Sequence, residues 1–136
     1  MTTNEWTFTG LDESIASELQ EFLPDRIFDA HAHIYRLDDL ATSGSSVVTG
    51  GPAVVGAQVW RERLELMLGK GRLEGGLFIP LRTSPPLDVS NDFIVEQLAL
   101  SPASRGLIMI YPGYSQQKVA EYLKNPQIAG FKCYHT

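Results

Sequence analysis

The stretch Arg26-Ile27-Phe28-Asp29-Ala30-His31-Ala32-His33 decides how the rest of the chain is read. It follows Pro24, opens apolar and closes on two imidazoles, which predicts a short buried strand over 26–31 that delivers polar groups at its C-terminal end. Residues two apart on an extended backbone point the same way. His31 and His33 can therefore aim both rings at one point, within reach of a cation at about 2.1 Å. A plainer reading also fits, with one ring packed and the other solvated. The preceding Asp29, the small Ala32 between the rings and the polar loop beyond weigh toward a shared ligand.

Upstream of this strand, Asp12 is a candidate cap for an extra N-terminal helix in which Ile15, Leu19 and Phe22 recur at helical spacing. Downstream, residues 37–56 are rich in Gly, Ser and Thr, with the most biased composition over 41–52, and predict a mobile loop. Trp60, Leu64, Met67 and Leu68 then form an apolar stripe opposite Arg61, Glu62, Arg63 and Glu65, a helix stopped by Gly69 to Gly71. A second strand over 75–80 leads through a proline-containing loop with Arg82 to a helix over 90–100 that turns Ile94 and Leu98 inward. The unit repeats with a strand over 106–111, a helix capped by Ser115 that carries Val119, Tyr122 and Leu123, and a fourth strand over 128–134.

After the first helix the order is β, α, β, α, β, α, β, with strands apolar on both faces. Such strands belong to a parallel sheet covered by helices, so the chain reads as one α/β domain over 1–136. The first two β-to-α loops are long or Pro-rich and the α-to-β turns are tight. Elaboration therefore gathers at the C-terminal ends of the strands, where barrels and open α/β sheets carry their chemistry.

Composition narrows the function. With 136 residues and 43% hydrophobic content the chain can build a core, which excludes a disordered tail. Sixteen acidic against eleven basic residues leave a net charge of −5 and no basic stripe, which argues against nucleic acid as a partner. No basic-then-apolar leader and no run of about 18 apolar residues occurs, so no membrane partner is expected and the reading is a soluble cytoplasmic protein. The single cysteine, Cys133, rules out an internal disulfide or a Cys-rich zinc module and reads as a small buried side chain. A metal must then rely on His, carboxylate or modified Lys. No Gly-x-Gly-x-x-Gly turn follows the first strand, which weakens an open sheet that binds a phosphorylated ligand.

Ile27-Phe28-Asp29-Ala30-His31-Ala32-His33 resembles the first-strand motif of the amidohydrolase superfamily, metal-dependent hydrolases on a (β/α)8 or TIM barrel. The resemblance implies that His31 and His33 ligate a divalent metal, usually zinc, from the C-terminal end of strand one. The second carrier is Gly130-Phe131-Lys132-Cys133-Tyr134. A lysine in an apolar strand is costly unless paired or exposed at the strand end, and an ion pair or a snorkelling side chain accounts for it. The resemblance implies a further role: in binuclear members a lysine here is carboxylated and bridges two metals, whereas mononuclear members leave it unligated, so Lys132 fits one ion or two.

His135 is a ligand, a substrate contact or a frayed terminal residue. Arg82 follows the second strand where it can receive the carboxylate or phosphate of a small-molecule substrate, or simply be solvated. Tyr35, Arg36 and Tyr111 are expected in similar loops and rank lower. The likeness implies hydrolysis of an amide, ester or lactone by a metal-activated water, with decarboxylation, hydration and isomerisation among related activities. The chain departs from the family in length, supplying about half of the roughly 250 residues of a complete barrel. Its three histidines, 31, 33 and 135, leave the family's later ligands and its catalytic aspartate unassigned. The expectation is the first four strands of such a barrel with an N-terminal extra helix, inactive alone, its open sheet edges inviting a homo-oligomer. The rival is a catalytically inactive structural or interaction unit.

Overall fold

The computed structural model describes residues 6–40, 48 and 50–133. Helix α1 spans Gly10–Leu19 and begins at Thr9, whose hydroxyl accepts the Asp12 N–H at 3.3 Å while the Asp12 carboxylate accepts the Thr9 N–H at 2.8 Å. Asp12 is therefore the third residue of a capping box rather than the cap. Phe22, beyond the helix, is 81% exposed and Ile15 42%, and of the helix only Ala16 is buried. The element leans on a neighbouring helix instead of the sheet, with Gln20 Nε2 donating to the Met67 carbonyl at 3.3 Å.

Strand β1 runs Ile27–Arg36, longer than the predicted 26–31, and carries both imidazoles inside the extended segment. Its end pairs antiparallel with β2, Val54–Val55, so that Tyr35 faces Val55. A two-residue strand leaves no periodicity, and it lies inside the segment read as loop. Most of the 41–52 stretch, namely 41–47 and 49, lies outside the described residues. The chain continues with α2 (Ala57–Leu68), β3 (Leu73–Pro80), α3 (Asp88–Ala99), β4 (Arg105–Ile110), α4 (Gln116–Tyr122) and β5 (Ile128–Cys133). Ser115 caps α4 as expected, accepting the Lys118 N–H at 3.4 Å.

The sheet order is β2-β1-β3-β4-β5, parallel throughout except at β2. Consecutive parallel strands that add in one direction, joined by right-handed crossovers, place their helices on one face. The core confirms this arrangement. Ala32, Ile34, Phe78 and Ile108 from the sheet meet Ala57 and Trp60 of α2 and Phe93, Ile94 and Leu98 of α3. Trp60 packs edge-on to Phe78 with ring centroids 5.0 Å apart. Two glycines set the closeness of this packing: a Cβ at Gly76 would lie 2.6 Å from Trp60 and one at Gly106 2.7 Å from Ile94. Asn91, fully buried on α3, donates to the Met109 carbonyl at 3.0 Å and accepts the Met109 N–H at 2.7 Å, so its amide stands in for backbone against β4. No helix among the described residues is long and apolar enough to cross a membrane.

Candidate metal centre

The site starts from an irregularity in β1. Asp29 pairs with Gly76 and Ala32 with Phe78, so three steps of β1 oppose two of β3, a β-bulge. Regular alternation would put Asp29 on the same face as His31. The bulge instead turns Asp29 toward the helices, where its carboxylate accepts the Trp60 indole N–H at 2.8 Å and the His31 backbone N–H at 3.0 Å. Ala32 and Ile34 then pack into the helix-side core, which leaves His31 and His33 on the opposite face.

There the two rings meet. Their Nε2 atoms are 3.1 Å apart, the centroids 4.9 Å, and the planes inclined by 63°. His33 Nδ1 lies 3.3 Å from the Ile79 carbonyl on β3, an acceptor only, so Nδ1 carries the proton and Nε2 presents its lone pair. Burial pushes the His33 imidazolium below the ordinary histidine range, and the charges of His31 and Lys132 push the same way, against the carbonyls of Ile79 and Pro80. His33 is thereby held neutral, the form that ligates metals.

Two nitrogens bound to one cation at 2.0–2.1 Å stand about 3.3 Å apart for tetrahedral and about 2.9 Å for right-angled coordination. The observed 3.1 Å falls between these values. The donor set also fits in a second respect, since a histidine ligand commonly donates its other ring N–H to a carbonyl, as His33 does to Ile79. In the metal-free state the same contact is an Nε2–H of His31 donating to His33, so loading a cation requires His31 to move its proton to Nδ1. Beyond this pair, no group of three or more His, Cys, Asp or Glu side chains poised for a metal occurs among the described residues.

Lys132 sits on β5 in register with Met109, and its ammonium is felt by His33 across β3 and β4, so the fold brings the two sequence motifs to one face of the sheet. His135 lies outside the described residues. Arg82 directs its guanidinium to backbone: Nε donates to the Ser84 carbonyl at 2.6 Å, one terminal nitrogen to the Pro85 carbonyl at 2.9 Å, and the other to the Asp39 carbonyl. It ties the loop after β3 to the turn after β1. Arg36 turns to the helix side, pairing with Asp39 at 2.6 Å and lying 4.7 Å over the Phe93 ring. Tyr111 is 41% exposed and stacks edge-on with Tyr114. Cys133, read as buried, is exposed, because β5 is an edge strand.

Two side chains that sequence reasoning undervalued complete the picture. Asp29 read as a neighbour of the metal motif, and only the bulge reveals it as the anchor that orients the motif. Tyr35 has a buried hydroxyl with no hydrogen-bond partner among the described residues. Alternation from His33 signals its face, but nothing in the sequence signals its burial. No family model, curated protein or solved structure matches the chain.

Proposed function

We propose that this chain holds a divalent cation, zinc by preference, on His31 and His33, and that it belongs to a metal-dependent hydrolase acting on an amide, ester or lactone. The observation that carries this reading is the 3.1 Å approach of two Nε2 atoms, one of them held neutral and oriented by a backbone carbonyl. The setting supports it as well: the pair stands in the second half of β1, from which the parallel strands β3, β4 and β5 add in one direction, as in the opening strands of a TIM barrel, while the two-residue β2 pairs antiparallel with the other edge of β1. A bound cation supplies Lewis acidity and lowers the pKa of water toward neutrality. The chain's own groups then have separate tasks. His31 and His33 hold the ion, Asp29 fixes the backbone that presents them, and Lys132 adds positive charge, or a carboxylated bridging ligand for a second ion, from β5. Arg82 organises the surrounding loops. Neither the general base nor a third protein ligand is assigned.

That incomplete ligand count favours a second reading, a folded structural or interaction unit in which the two imidazoles merely bond to each other. Zinc titration of the full chain against a chromogenic chelator separates the two. The hydrolase reading expects one equivalent bound by the wild type and at least 100-fold weaker binding by the His31→Ala/His33→Ala double variant. Equal weak binding by both proteins refutes it.

A further inference from the structure

The sheet face that carries the imidazoles lies opposite the one on which α2, α3 and α4 pack, and it is apolar as well as metal-ligating. Phe28 stands between Ile27 and Asp29, Leu77 between Gly76 and Phe78, and Leu107 between Gly106 and Ile108, and every one of these flanking residues turns to the helices. The three apolar side chains therefore point to the side of His31 and His33, one from each of β1, β3 and β4. Phe28 is 48% exposed, and Leu77 and Leu107 are half-buried. His31 is exposed and His33 half-buried, so the pair is open to an incoming surface from the same direction.

We infer that the occupant of this face is a second copy of the chain, docked about a two-fold axis through a shared zinc ion, with each copy contributing His31 and His33. The inference rests on the metal-site reading above. Two nitrogens 3.1 Å apart span one edge of a tetrahedron close to the size that zinc takes, and leave the opposite edge for other donors. In an isologous contact the same surface meets itself, so a second copy presents an identical edge. A foreign partner would have to bring two donors of its own at that spacing. The same operation lays the apolar strip of each copy against the other and takes it out of water. Charge makes the ion necessary: each chain carries −5 at pH 7, which opposes association of bare copies, and a divalent cation at the axis offsets part of that repulsion.

Sedimentation of the full chain at rising zinc provides the test. The metal-free chain should run as a monomer and convert to a dimer that is maximal at one zinc per two chains. It should return to monomer once zinc exceeds the chains and each pair takes its own ion, in keeping with the one equivalent expected at saturation. His31→Ala/His33→Ala should remove the dimer. Phe28→Lys changes an exposed side chain and leaves the donors in place; it should weaken zinc-bridged dimerisation roughly 10-fold while zinc loading of the single chain stays put. Zinc bound by a chain that stays monomeric at every ratio overturns the proposal while the metal site stands, and a loss of affinity in His135→Ala then puts the further ligand within one chain. A dimer that forms without zinc and survives the double histidine variant overturns it as well, and points to pairing of strand edges. Failure of the wild type to bind zinc is a different result: it removes the metal site itself, and this inference with it.

Discussion

Replacing Asp29 by Ala tests whether the bulge in β1 is what aligns the two imidazoles. The carboxylate accepts from the Trp60 indole at 2.8 Å and from the His31 backbone N–H at 3.0 Å. Trp60 is 6% exposed, so its N–H loses its partner with no water to replace it. A hydrogen bond to a charged acceptor contributes about 1.5–3 kcal/mol, and the more exposed His31 N–H adds up to about 1 kcal/mol. Asp29→Ala should therefore cost about 2–4 kcal/mol in urea unfolding, roughly 10 °C in melting temperature for a domain of this size. Trp60 fluorescence reports the local change. With the strand free to return to regular alternation, zinc affinity should drop at least 10-fold. Asp29→Asn keeps one acceptor oxygen and should retain about half the stability and most of the zinc affinity. Asp29→Ala within about 0.5 kcal/mol of wild type would refute the anchoring role. An Asp29→Asn variant that loses zinc as completely as the double histidine variant would instead make the carboxylate a ligand.

Other positions give independent checks. Asn91→Leu leaves the Met109 N–H and C=O unpaired in the core, and should destabilise by about 2–5 kcal/mol in chemical denaturation, more than Asn91→Asp. Lys118, followed by Tyr114, holds the Asp88 carboxyl below its ordinary value of 3.8. Because the folded carboxyl binds its proton less readily, this pair stabilises fully above about pH 4 and progressively less as pH falls through the depressed value. Lys118→Met should flatten that acid limb of a stability-versus-pH curve. Arg82→Ala frees the loop after β3 and should raise limited-proteolysis rates over 81–87 several-fold, with zinc affinity unchanged; a large loss of zinc affinity would place Arg82 in the site itself.

The α/β order was legible because each helix and each longer strand carries its own period or apolar run, and because Ser115 and Gly69 mark ends by local chemistry. The His-x-His pair was legible because a two-residue spacing and extended backbone suffice to bring two side chains to one face. The miscast elements share a cause. Ile15 and Phe22 recur at helical spacing yet remain 42% and 81% exposed, so periodicity marked the helix without fixing what its apolar side chains meet. Cys133 reads as core until β5 proves to be an edge strand.

Other features depend on contacts between residues far apart in sequence. Asp29 departs from its neighbours' face because Trp60, 31 residues later, offers an indole N–H on the helix side, and a one-residue bulge reverses side-chain direction. His33 takes its tautomer from Ile79, and Lys132 reaches the same face only because β5 adds beyond β4 in the same direction. Composition and spacing determined which chemistry-bearing residues this protein has and which elements carry them. Tertiary structure decided which of them face one another, since side-chain direction and burial depend on strand register and on the partner each polar group finds.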